Sequence, residues 1–135
     1  MTMKGSGSDV SSSFIIAAAA DTDGVSVAAS VSGAANLTIG GALASGGSVT
    51  FDSPRNLTIL SAGDDSGITF TVTGTDETGT AATETITGAD TDTATGTSFF
   101  TTVTQIATSG SSAGNVSAGS GTSICGVMSK ERMRL

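Results

Sequence analysis

Residues 63–79 read GDDSGITFTVTGTDETG, and the fold class turns on the middle of that stretch. In Gly67–Gly74, Ile68, Phe70 and Val72 alternate strictly with Thr69, Thr71 and Thr73. A period of two places successive side chains on opposite faces of a strand, and threonine suits the solvent side. After TDETGTA comes ATETITG, Ala82–Gly88. That spacing predicts a β-hairpin with a loop of several residues.

Working toward the N-terminus, NLTILSA (Asn56–Ala62) puts Leu57 and Ile59 on one face, and SVTFDSP (Ser48–Pro54) does the same with Val49 and Phe51. GGALASGGS (Gly40–Ser48) reads as a loop and ANLTIGG (Ala35–Gly41) as a short strand. VSVAASV (Val25–Val31) and FIIAAAA (Phe14–Ala20) read as strands on either side of DTDG, Asp21–Gly24, which carries a turn signal. Toward the C-terminus, FFTTVTQIATSG (Phe99–Gly110) has helical spacing at Phe99, Val103 and Ile106. Its threonines favour a strand, with a bulge to reconcile the spacing. NVSAG (Asn115–Gly119) and SICGVM (Ser123–Met128) are the last expected strands. Turn signals recur at short intervals, which predicts an all-β chain with an Ig-like or related β-sandwich. The expected layout is an N-terminal arm over 1–13, a sandwich over 14–128 and a basic tail over 129–135.

Composition narrows the chemistry. The chain has 135 residues and lacks His, Trp and Tyr. Without His it lacks the commonest general base near neutral pH. Without large aromatics the core must be thin, built from Val, Ile, Leu, Phe and Ala, so association with neighbours is expected. The net charge is −7, and Arg55 is the only cation between Gly5 and Ser129. A nucleic-acid groove needs clustered Lys and Arg, so none is expected in the body. No apolar run approaches the ~20 residues that span a bilayer, so no membrane partner is expected. FIIAAAA imitates a signal peptide, but a polar leader carrying Asp9 precedes it. The expectation is a chain made in the cytoplasm and left unprocessed. Cys125 is the single cysteine. It admits no internal disulfide and reads as a small apolar side chain.

Three motifs invite chemistry. DTDG, GDDSG and DETG each hold two acids, but none continues into the spaced ligand series of a calcium loop. Turn chemistry explains them: Asp bonds its own backbone and Gly supplies positive φ. Paired carboxylates also serve glycosidases, which add aromatic sugar platforms that this chain lacks. GSSAG (Gly110–Gly114) fits G-x-S-x-G with Ser112 central, but a nucleophile elbow needs a His. The sequons at Asn36, Asn56 and Asn115 follow from the abundance of Ser and Thr. These readings predict no catalytic, metal or cofactor site.

The termini carry the remaining positive charge: Lys4 at one end, and Lys130, Arg132 and Arg134 at the other, with Met133 and Leu135 adding apolar contacts. Candidate partner contacts are therefore Lys4, Phe14, Arg55, Lys130, Arg132, Met133, Arg134 and Leu135. For Arg55 the alternative is a local ion pair with Asp52.

FDSPRNLTILSAGDDSGITFTVTGTDETGTAATETITG (Phe51–Gly88), followed by SFFTTVTQIATSGSSAGNVSAG (Ser98–Gly119), resembles a small β domain of tailed-bacteriophage virion proteins. Two departures are local. Ala118 stands where a β-branched residue is usual, and Phe100 where lysine is common. The resemblance implies a capsid decoration or cement protein on the outer surface of the virion. Such a protein binds the major capsid protein and its own copies, with a trimer favoured. Alternatives are a tail, neck or fibre-associated module, or a host-surface or carbohydrate-binding module, the last disfavoured by the missing Trp and Tyr.

Overall fold

The structure is a computed structural model that describes residues 21–124. These residues form β1 (Asp21–Ala29), β2 (Ala44–Ser45), β3 (Ser48–Ser61), β4 (Thr69–Thr75), β5 (Ala81–Thr87), β6 (Thr93–Thr95), β7 (Phe100–Thr108) and β8 (Val116–Ile124). The described residues are all-β. One antiparallel network joins the strands in the order β1-β8-β3-β7-β4-β5, with β2 and β6 attached to β3.

β3 organises the molecule. Its first half lies between β2 and β7, with Val49 opposite Ala44 on one side and Val103 on the other. Its second half lies between β6 and β8, with Ile59 opposite Ala94 and Ala118. The register shifts between Thr50 and Arg55 against β7 and between Arg55 and Leu57 against β8. Two expected strands are thus one strand with an irregularity at Pro54–Arg55. A proline survives inside a strand where the ladder is already broken.

The β4–β5 hairpin follows the expected alternation: Phe70, Val72 and Ile86 are buried. β7 is bulged opposite Thr73–Gly74, which is why Val103 and Ile106, three apart, both reach the core. At that bulge the chains run so close that a Cβ on Gly74 would overlap the Thr102 carbonyl. Phe100 fills the core beside them, while Phe99 is half-buried. Val25, Leu37, Ile39, Val49, Phe51, Leu57, Ile59, Val116 and Ala118 complete one continuous apolar cluster.

Four expectations are corrected. DTDG does not reverse the chain: it lies inside β1, with Asp21 opposite Ser120 and a register shift before Ser26. Its Asp-Gly signal marks an irregular strand, where Gly24 makes room for Leu43. Ala35–Gly41 is not a strand. It contributes an isolated bridge from Asn36 to Ala107, while Leu37 and Ile39 still enter the core. The Gly40–Ser48 loop contains β2, closed onto β3 through Gly46 and Gly47, both at positive φ. That pair of conformations matches the twist of a two-residue hairpin. NVSAG runs on without a break to Ile124 as β8. The expected strand over Phe14–Ala20, Cys125 and Gly126–Met128 lie outside the described residues.

Candidate functional site

The acidic turns resolve into two kinds of carboxylate. Asp64 is exposed; its Oδ1 accepts bonds from the Ser66 hydroxyl at 2.6 Å and the Ser66 N–H at 3.0 Å. Asp76 is half-buried; its Oδ1 accepts from the Thr78 hydroxyl at 2.7 Å, the Thr78 N–H at 2.8 Å and the Thr80 N–H at 3.0 Å. These bonds favour the charged form, the hydroxyl contributing most in each case, and hold both carboxyls below the ordinary aspartate range.

Asp65 is the other kind. It is only 2% exposed. Its Oδ1 accepts the Ala113 N–H at 2.7 Å, its N–H donates to the Ala89 carbonyl, and its carbonyl accepts the Ile68 N–H. One residue thereby ties together the GDDSG, GAD and SSAG loops. Its second oxygen has no hydrogen-bond partner among the described residues. Ser112, the central serine of GSSAG, is a clamp: its hydroxyl accepts the Val31 N–H at 2.9 Å and donates to the Gly114 carbonyl at 2.7 Å. Among the described residues, no three His, Cys, Asp or Glu side chains gather closely enough to hold a metal ion.

Of the candidate contact residues, Lys4, Phe14, Lys130, Arg132, Met133, Arg134 and Leu135 lie outside the described residues. Arg55 lies within them and is 6% exposed. Its Nε donates to the Gly121 carbonyl at 3.0 Å, and its Nη2 donates to the same oxygen. The guanidinium thus fastens β3 to β8. The cause lies in the ladder. Arg55 is opposite Phe100 on one side and Ile124 on the other, so neighbouring strands flank it on both sides. Beside it, Asn56 donates from Nδ2 to the Gly96 carbonyl at 3.2 Å, and the Asn56 amide occupies the space a Cβ on Gly121 would need.

The same pairings bring the two ends of the described chain together. Asp21 opens β1 opposite Ser120 of β8, and β8 runs on to Ile124 opposite Arg55. Segments 1–20 and 125–135 therefore join the body from adjacent strands, level with Arg55–Leu57 of β3. No spacing in the sequence signals this, because the contact joins residues about as far apart in the chain as the domain allows.

The two outer strands differ. β1 is irregular in two places, and its Gly24 and Val25 carbonyls accept bonds from Leu43, Gly40 and Gly41. Val27 and Leu43, 54% and 41% exposed, stand on this side. β5 pairs with β4 through unshifted partners from Thr69↔Thr87 to Thr75↔Ala81. Thr83, Thr85 and Thr87 are exposed along it. Glu84 is not free on that strand: its carboxylate accepts from the Thr97 N–H at 2.6 Å and the Ser98 N–H at 3.2 Å. The signal for an open edge was present in AATETIT, which has neither Lys nor Pro. No family model, curated protein or solved structure matches the chain.

Proposed function

We propose that this chain is a structural protein of a bacteriophage virion, a decoration or cement protein that reinforces the head. In this reading it binds the outer surface of the major capsid protein and its own copies. One observation carries the reading: both terminal segments leave the body from adjacent strands, level with Arg55–Leu57 of β3. The C-terminal segment brings Lys130, Arg132 and Arg134, whereas the one cation of the body is turned inward. An acidic body whose chain runs on past Ile124 into a cationic segment suits a module anchored through that segment to a larger surface. Many weak contacts of that kind add up across a lattice. The Thr-faced sheet and the acids engaged in turns fit a surface role. The virion assignment itself comes from the resemblance carried by Phe51–Gly88 and Ser98–Gly119.

The test is co-sedimentation with purified heads that lack the protein. The intact chain is expected in the pellet, and added salt should weaken its attachment. Deleting residues 129–135 should leave the circular dichroism of the β domain unchanged and move the protein to the supernatant. Failure of the intact chain to pellet would sink the proposal. Equal pelleting of both forms would remove the tail from it. Imaging of decorated particles separates the rivals, since threefold positions favour decoration and sixfold or twelvefold rings favour a tail or neck module.

A further inference from the structure

We infer that the outer edge of β5, Ala81–Thr87, receives an added strand from a second copy of this chain, and that Phe14–Ala20 supplies it. The first support is the edge itself. β5 ends the strand order, and among the described residues no backbone group bonds to its outer side. Proteins guard such an edge with Lys, Pro, a bulge, an inward charge or a covering segment. β5 has no Lys or Pro and no shift in register. Its one charge, Glu84, lies on the inward face with Ile86 and opposite Val72, but Thr97 and Ser98 neutralise it there by hydrogen bonds, and the backbone edge itself stays uncovered. β1 shows the contrast, since it is bulged and bonded along part of its outer side by Gly40, Gly41 and Leu43.

The second support is the chemistry of the chain outside the described residues. Residues 1–13 are rich in Gly and Ser, and 129–135 is dominated by charge. Phe14–Ala20 is uncharged, free of Gly and Pro, and seven residues long, the length of β5. With period two, Phe14 and Ile16 share a face that can continue the apolar side of the sheet past Ile86.

Attachment decides which copy is served. Ala20 is bonded to Asp21, the first residue of β1, and four strands separate β1 from β5 in the sheet order. A seven-residue strand continuous with β1 reaches a β5 edge on another copy. Pairing of β5 with its own equivalent is a poorer solution, because the centred antiparallel register sets Glu84 against Glu84. A contact between unlike surfaces repeats head to tail and closes into a ring when the rotation permits. The contact forms in solution and does not depend on the virion reading.

The experiment needs no particles. Light scattering on the intact chain should report a mass above that of one copy. Thr83→Lys with Thr85→Lys, at exposed positions of the edge, should bring the mass down to one copy with the β-sheet spectrum unchanged. Deleting residues 1–20 should do the same. In a Cys125→Ser background, an Ile15→Cys copy, whose cysteine lies on the same face as Thr85, mixed with a Thr85→Cys copy should form a disulfide-linked pair on oxidation. A monomeric intact chain overturns the inference, as does an oligomer that survives the two lysines. A Thr85→Cys copy that links to itself in preference to the Ile15→Cys copy overturns the choice of occupant.

Discussion

Thr91 sits at φ 52°, a left-handed conformation that β-branched residues rarely adopt. It is held there by an N–H bond to the Gly63 carbonyl at 2.8 Å, while its hydroxyl reaches Asp90. Asn tolerates that region far better, so Thr91→Asn should raise unfolding free energy by about 0.5–1 kcal/mol, read by urea titration. Asp64 and Asp76 predict a pH effect. Their folded carboxyls titrate below the unfolded value. Their contribution is therefore complete above the unfolded value and is lost as pH falls through the folded one. Stability should decline below about pH 4. Asp64→Asn with Asp76→Asn keeps the turn acceptors without the titration, so the decline should be shallower. Equal slopes in the two proteins would refute the assignment. These roles were legible in GDDSG and DETG, because an Asp two residues before a donor bonds locally whatever the rest of the chain does. Asp65 was not legible. Its neighbour Asp64 has the same sequence surroundings, and only the approach of Ala113 and Gly88 decides which of the two is buried.

Among the elements, β4 and β5 followed from alternation alone, since one buried face and one wet face leave a period-two record. β3 did not. Pro54 and the charged Arg55 read as a break, yet the strand continues through a register shift with Arg55 facing the Gly121 carbonyl. Arg55→Met retains length and apolar stem but leaves that carbonyl without its donor. It should lower unfolding free energy by about 1–3 kcal/mol. If Arg55 acts only inside the sheet, attachment to heads per folded molecule should not change. A variant as stable as the parent but unable to pellet with heads would make Arg55 a partner contact. β6 escaped the sequence reading because three residues, Thr93–Thr95, carry too short a pattern to register.

On the scale of the whole molecule, β1 and β8 hold the two ends of the described chain side by side, and the Ser117 hydroxyl donates to the Thr22 carbonyl. Contacts this distant in sequence slow folding, because loop closure precedes the reward of pairing. They also make the order of the strands insensitive to where the chain is cut. A permutant opened between Gly46 and Gly47, with residues 1–20 and 125–135 serving as the join, should fold to the same sheet. Its far-ultraviolet spectrum and a single cooperative melt would show it. A permutant that stays unfolded would mean that the Gly46–Gly47 hairpin is needed to start the sheet.

By itself the sequence determined the all-β class, the hairpin, the apolar faces and the local work of the turn acids Asp64 and Asp76. Each of these depends on neighbours within a few residues, and such interactions are written directly in the order of side chains. Only the tertiary structure decided that Arg55 points inward, that Asp65 joins three loops, that one outer strand is bulged and the other straight, and that both chain ends meet at one place. Those outcomes depend on which distant strand lies alongside, and a linear pattern of small residues is compatible with many such pairings.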